Sequence, residues 1–334
     1  MVPRMLATRL TACLILCLTL CAAPASAAGA GFRALSVKDP VGGGEMKAIA
    51  FYPAATAGPP TALGPYRVDA SDGAPIAPGR FALVVLSHGH GGTRLGHHDL
   101  ATALASHGFV VASLDHPLDN AQDTSGAGSD AVLLGRPLQM SALVDAVLAA
   151  PGLGEHVDPR RIGAAGFSAG GYTTLVLGGA RPDFRLWQRY CRAHPTDAEL
   201  CGGGRFELRV LHPKLRARAD PRVRALAVMA PLALPFDRAA LKGVKVPVRL
   251  YAAGKDEVLP LADNAERVRG GLPRPPEYRL FPEAGHYVFL APCGPEQRQR
   301  VPMICEDPPG VDRGALHREL ADELVAFFGR TLAP

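Results

Sequence analysis

The chain has 334 residues, 48% hydrophobic and 20% charged, enough for one large α/β domain with a substantial core. Its formal net charge of +5 drops to +3 once Arg4 and Arg9 of the expected leader are set aside, too small and scattered a surplus to imply nucleic acid. Many glycines and prolines, only 6% aromatic residues and no internal period exclude a fibrous or repeat architecture and indicate a soluble, loop-rich protein.

Arg4 and Arg9 precede an apolar run from Leu10 to Ala23 and then Ala25-Ser26-Ala27, the order of a secretory signal peptide. Cleavage is expected after Ala27, leaving residues 28–334 as a secreted or periplasmic protein. The run falls short of the roughly 18 apolar residues of a spanning helix, which argues against a stable membrane anchor. A lipoprotein is disfavoured because Leu20, not a small residue, precedes Cys21.

Further along, Phe32 to Pro53 predicts antiparallel edge strands and Ala57 to Pro78 a Gly/Pro-rich connector with little regular structure. Apolar runs at Phe81 to Ser87, Phe109 to Leu114, Ile162 to Phe167, Ala225 to Met229 and Val246 to Ala252 have the length and Val/Ile/Leu content of buried parallel strands. Helical patterns at Leu95 to Ser106, Leu138 to Ala150 and Ala169 to Leu177 alternate with them, which predicts a doubly wound, mostly parallel sheet with right-handed crossovers. His97-His98-Asp99 lacks the spacing of a metal site and reads as an exposed first helical turn.

The stretch Arg181 to Pro221 interrupts the alternation, places Phe184, Trp187 and Cys191 at helical spacing, and reads as a small cap insertion whose Arg-rich end, from Arg205 to Arg224, is a solvated face. Cys13, Cys17 and Cys21 lie in the leader, so the mature chain keeps Cys191, Cys201, Cys293 and Cys305, an even number suited to an oxidising compartment. Of three connectivities, Cys191 with Cys201 and Cys293 with Cys305 are expected, because each pair closes a short loop lacking strand periodicity. Tyr278 to Phe281 is strand-like, and Leu316 to Phe328 predicts a closing amphipathic helix.

The residues with chemistry fall at strand ends. Gly166-Phe167-Ser168-Ala169-Gly170 is a G-x-S-x-G between a predicted strand and a predicted helix, the context of a nucleophile elbow, with Ser168 at its apex. His88-Gly89-His90-Gly91-Gly92 follows an earlier strand and would supply one oxyanion amide, from His90, while Ala169 supplies the other. The rings of His88 and His90 are expected to shape the loop by hydrogen bonding. Asp256 follows the strand ending near Ala252 and is the expected triad acid, with Glu257 as runner-up; Asp115 precedes the serine and is expected to organise the pocket rim. His286, in Ala284-Gly285-His286, follows the acid loop and is the expected base, whereas His317 sits within the final helical pattern. There is no C-x-x-C, no H-E-x-x-H and no phosphate-binding glycine pattern, so no metal or cofactor is implied.

Leu86-Ser87-His88-Gly89, Leu114-Asp115-His116-Pro117, Gly163 to Tyr172, Asp256-Glu257 and Ala284-Gly285-His286 together resemble the bacterial dienelactone-hydrolase-like α/β hydrolases, which are similar to plasma-type platelet-activating-factor acetylhydrolases and more loosely to cutinase-like polyester hydrolases. The resemblance spans about Phe81 to Phe328. It implies an α/β-hydrolase fold and hydrolysis of a small-molecule carboxylic ester through an acyl-enzyme, with Ser168, Asp256 and His286 as triad and His90 and Ala169 as oxyanion donors. Dienelactone hydrolases proper use a cysteine where this chain has Ser168, which argues against a lactone substrate; short-acyl or modest aryl esters are expected, since the sequence shows no long apolar lid. An amidase or peptidase would use the same triad, and a non-catalytic binding protein could use the same scaffold.

Overall fold

The computed structural model describes residues 27–202 and 205–334, so the expected secretory leader lies, apart from Ala27, outside the described residues. The chain opens with β1 (Gly29–Lys38) and β2 (Glu45–Ala54), then three short strands, β3 (Thr61–Leu63), β4 (Tyr66–Val68) and β5 (Ser71–Asp72). The alternating part runs β6 (Phe81–Ser87), α1 (His98–Ser106), β7 (Phe109–Leu114), α2 (Asp130–Leu133), α3 (Gly135–Ala149), β8 (Val157–Phe167) and α4 (Ala169–Leu177). An excursion containing α5 (Phe184–Ala193) and α6 (Ala198–Cys201) precedes β9 (Val223–Met229), α7 (Arg238–Leu241), β10 (Val248–Ala253), α8 (Ala265–Gly271) and β11 (Glu277–Phe281). The C-terminal part holds α9 (Pro295–Arg300), α10 (Pro302–Cys305) and α11 (Arg313–Thr331).

Nine strands form one sheet in the order β11-β10-β9-β8-β6-β7-β2-β1-β5. From β11 to β7 every pairing is parallel; β2 and β1 add antiparallel strands beyond β7. The long apolar runs follow from burial on both faces. In β6, Leu83 and Val85 enter the core under α3 and α4, while Ala82, Val84 and Leu86 enter the core under α1 and α11. Where the layers come closest there is no room for a side chain: a Cβ on Gly163 of β8 would lie 2.7 Å from the Phe328 ring of α11. The order of strands reverses between β6 and β8, and ligands in open α/β sheets bind beyond the carboxyl ends of strands at such a switch.

Two expectations are corrected. The 57–78 connector is more ordered than its composition indicates, pairing β3 with β4 and β5 with β1 through runs too short to show a period. The first turn of α1 is not exposed: His97 is buried and His98 and Asp99 are half-buried, because α11 and the chain after β11 pack over it. At the end of the excursion Arg205, Arg209, Arg216 and Arg218 are exposed, as is Arg224 in β9, whereas Arg222 is half-buried and paired with Asp220 and Asp145.

Candidate active site

Ser168 stands between the end of β8 and the start of α4 with φ +56° and ψ −118°, a left-handed conformation that L-residues rarely hold. Its surroundings enforce it. The Ser168 N–H donates to Met229 O (3.0 Å), and the Ser168 carbonyl accepts from Leu232 N–H (3.0 Å) and Tyr172 N–H (3.1 Å). A Cβ on Gly166 would lie 2.2 Å from Gly170 O, and one on Gly170 would lie 1.9 Å from Ser87 O, so both flanking positions admit only glycine. The turn thus presents the hydroxyl beyond the sheet while its backbone is locked.

Two loops from the same edge converge on that hydroxyl. His286 begins a 3-10 turn (His286–Phe289) after β11, with Nε2 3.0 Å from Ser168 Oγ and Nδ1 2.8 Å from Asp256 Oδ2. Asp256, after β10, has its other oxygen fixed by the N–H groups of Val258 (3.1 Å) and Leu259 (2.7 Å). The His286 ring packs against Phe167, the residue before the serine, at 4.7 Å between centroids. Glu257, weighed as an alternative acid, reaches the His286 backbone N–H (3.1 Å) and not the ring. Asp115 lies elsewhere, accepting from the backbone and guanidinium of Arg94.

The His88–Gly92 turn faces the serine from β6, with Gly89 so close that a Cβ there would lie 3.3 Å from Ser168 Cβ. Among the described residues the N–H groups of His90 and Ala169 donate to no protein acceptor, and both residues line the cavity that contains Ser168. A buried ion pair holds this turn from below. Arg136 of α3 donates to Asp119 Oδ2 (2.5 Å), to Ser87 Oγ (3.2 Å) and to the His88 carbonyl. Asp119 Oδ1 accepts from the His90 ring (2.5 Å) and from Gly91 N–H (3.3 Å), so the pair grips the chain on both sides of His90. Leu118, just before Asp119, also has a positive φ, +61°.

The electrostatics follow from burial and that pair. Burial works to raise the Asp119 carboxyl, but Arg136 foremost and then His90 hold it below the usual carboxylate range. The hydrogen bond to Asp119 raises His90. Burial, aided by the Arg136 charge, pushes His88 down to about 3 and His116 well below its usual value, so both rings stay neutral. His88 Nε2 accepts from His116 N–H (3.2 Å), and the His116 ring bridges Ser87 Oγ (2.9 Å) and Gln139 Oε1 (2.7 Å). Sequence reasoning assigned loop-shaping bonds to His88 and His90 but missed Asp119 and Arg136. The one available signal was an arginine beside an otherwise apolar helical pattern.

The cavity at Ser168 measures about 310 Å3. Its walls are mostly apolar, from Val132, Leu133, Tyr172, Leu232 and Leu259 and, in the excursion, Trp187, Leu200 and Phe206, with His90, Asp119, Arg136 and Glu199 among the polar lining. Trp187 stacks flat on Phe206 (3.9 Å, 2° between planes) and donates to Leu200 O (2.8 Å). Disulfides join Cys191 to Cys201, between α5 and α6, and Cys293 to Cys305. The exposed side chains of Arg205 and Glu207 stand at the mouth. Among the described residues no group of His, Cys, Asp or Glu side chains is arranged to hold a metal ion.

The elbow, the strand order and the solved structures agree. A ferulic acid esterase from Streptomyces cinnamoneus superimposes with a TM-score of 0.66 over 93% of this chain and 92% of its own, at 23% identity. The fold is that of the α/β hydrolases. A family model described as platelet-activating factor acetylhydrolase, isoform II, matches residues 58–130, a stretch that includes the His88–Gly92 turn and Asp119 and ends before Ser168. No curated protein matches the sequence.

Proposed function

We propose that this α/β hydrolase is a secreted or periplasmic serine esterase that cleaves small carboxylic esters through an acyl-enzyme. The observation that carries the reading is the relay from Asp256 through His286 to Ser168, with His286 Nε2 3.0 Å from Ser168 Oγ and Nδ1 2.8 Å from Asp256 Oδ2. In this reading Ser168 attacks the ester carbonyl while His286 takes its proton. The carbonyl oxygen becomes an oxyanion held by the free N–H groups of His90 and Ala169, at the amino end of α4. Collapse expels the alcohol, which receives the proton from His286, and a water activated by the same ring releases the acid. Asp256 keeps the ring in the tautomer this requires.

Ester chemistry is supported by both comparisons, since a ferulic acid esterase and an acetylhydrolase are named as ester-cleaving proteins. A 310 Å3 apolar cavity with a Trp187–Phe206 wall suits a short acyl or single-ring aryl group and not a long chain. The two disulfides support an oxidising compartment. The test is hydrolysis of p-nitrophenyl acetate by the protein and by Ser168→Ala, with fluorophosphonate labelling of both. Activity and labelling should vanish together in the variant, and persistence of activity would refute the reading. Matched ester and amide substrates then check the leaving-group class.

A further inference from the structure

The turn that carries His286 is held from outside by helices from opposite ends of the chain. His317 on α11, 4% exposed, has Nδ1 2.5 Å from Asp99 Oδ2 of α1 and Nε2 2.7 Å from the carbonyl oxygen of Val288. At the head of α1 the His97 ring donates from Nδ1 to the Phe289 carbonyl (2.9 Å), and the Gly96 carbonyl accepts from Ala291 N–H (3.0 Å). Both partners of the His317 ring are acceptors. An imidazole donates from both nitrogens only as the imidazolium; a neutral ring would set a lone pair against either the carboxylate or the carbonyl, with the ring itself buried. The titratable groups facing the ring are Asp99, His97 and His98, all from α1, and the 3-10 turn offers it only a backbone carbonyl. Burial lowers both His97, to about 4, and His98, so neither competes for the proton. Burial works to raise Asp99, yet His317 holds it below the usual carboxylate range.

We propose that His317 is a positioning residue for His286: clamped by Asp99 as an imidazolium, it fixes the Val288 carbonyl and with it the turn that sets His286 Nε2 against Ser168 Oγ. The proposal rests on the reading of His286 as the base. A ring carrying one proton would lack one of the two donors, so the turn would loosen and turnover would fall.

The test combines NMR of the histidine ring nitrogens across pH with p-nitrophenyl acetate kinetics of His317→Gln and Asp99→Asn. Protons on both His317 nitrogens are expected at neutral pH. His317→Gln should lower kcat by about 10- to 100-fold with KM within about twofold, as for an ångström-scale misplacement of a catalytic group. Asp99→Asn, whose amide can donate to a neutral ring, should lower kcat less than His317→Gln. A His317 ring carrying one proton at neutral pH, or a His317→Gln protein with the parent's kcat, overturns the proposal. If His317→Gln does not fold, the ring state and the kcat of Asp99→Asn decide. The ring state is read without any turnover, so this proposal and the assignment of His286, tested by His286→Ala, fail separately.

Discussion

Asp119→Ala removes one partner of a pair whose side chains are each only 1% exposed, leaving the Arg136 guanidinium in the core without its carboxylate. Breaking such a pair from one side costs about 3–5 kcal/mol, because the remaining charge stays desolvated. The His88 carbonyl and Ser87 hydroxyl still accept from Arg136, which places the expected loss near the lower end, about 3 kcal/mol. That is a large share of the roughly 5–15 kcal/mol that holds a domain together, so the variant should fold but melt early. It also releases Gly91 N–H and the His90 ring, so the proposed oxyanion donor, His90 N–H, loses its support. Complete removal of such a donor costs about 10²–10³ in kcat, and partial loss should fall below that ceiling. Urea unfolding followed by far-UV circular dichroism, with p-nitrophenyl acetate kinetics at fixed pH, measures both effects. Asp119→Asn, which retains an acceptor but not the charge, should lie between Asp119→Ala and the parent in each. A loss below about 1 kcal/mol in Asp119→Ala, the worth of an exposed pair, with unchanged kcat, would refute the claim that this pair supports the turn.

Gly170→Ala would force a Cβ to within 1.9 Å of Ser87 O, backbone that cannot yield, so a loss of about 3 kcal/mol with collapse of turnover is expected in the same assays. Replacing Cys191 and Cys201 together by serine opens a loop with a sequence separation of 10, worth about 2–3 kcal/mol; because Leu200 and Cys201 line the cavity, KM for aryl esters should rise more than kcat falls. The buried His88 and His97 rings are held down to about 3 and about 4, below the roughly 6.5 of an unfolded chain, so the unfolded state takes up protons first. Their contribution is therefore present above about pH 6.5 and is lost as pH falls toward 4. Urea midpoints between pH 7 and 4.5 should show this decline, and it should be shallower in His88→Gln; an identical slope in that variant would contradict the assignment.

The parallel strands were legible because burial on both faces demands unbroken apolar runs, as in β6 and β7, and the turn at Ser168 because its crowding demands glycine on either side. Ser168, Asp256 and His286 were singled out from their order along the chain, and they stand within hydrogen-bond reach of one another. What the sequence hid were buried charges. Arg136 is separated from Asp119 by 17 positions and Asp99 from His317 by 218, so nothing local distinguishes either pair from solvated surface residues. The reading of His97-His98-Asp99 as an exposed turn failed for the same reason: the helix that covers it comes from the far end of the chain. The β3–β4 hairpin escaped because three-residue strands carry no period.

Among its described residues the excursion between α4 and β9 contributes no strand to the large sheet and no side chain to the relay of Asp256, His286 and Ser168, yet it furnishes one wall of the cavity. The relay and that wall therefore occupy different stretches of polypeptide, one anchored in the sheet and the other closed by its own disulfide. Such a division lets the wall drift, lengthen or be exchanged without disturbing the relay. Grafting an excursion from another protein of this fold onto the same frame should change which esters are accepted before it changes how they are cleaved.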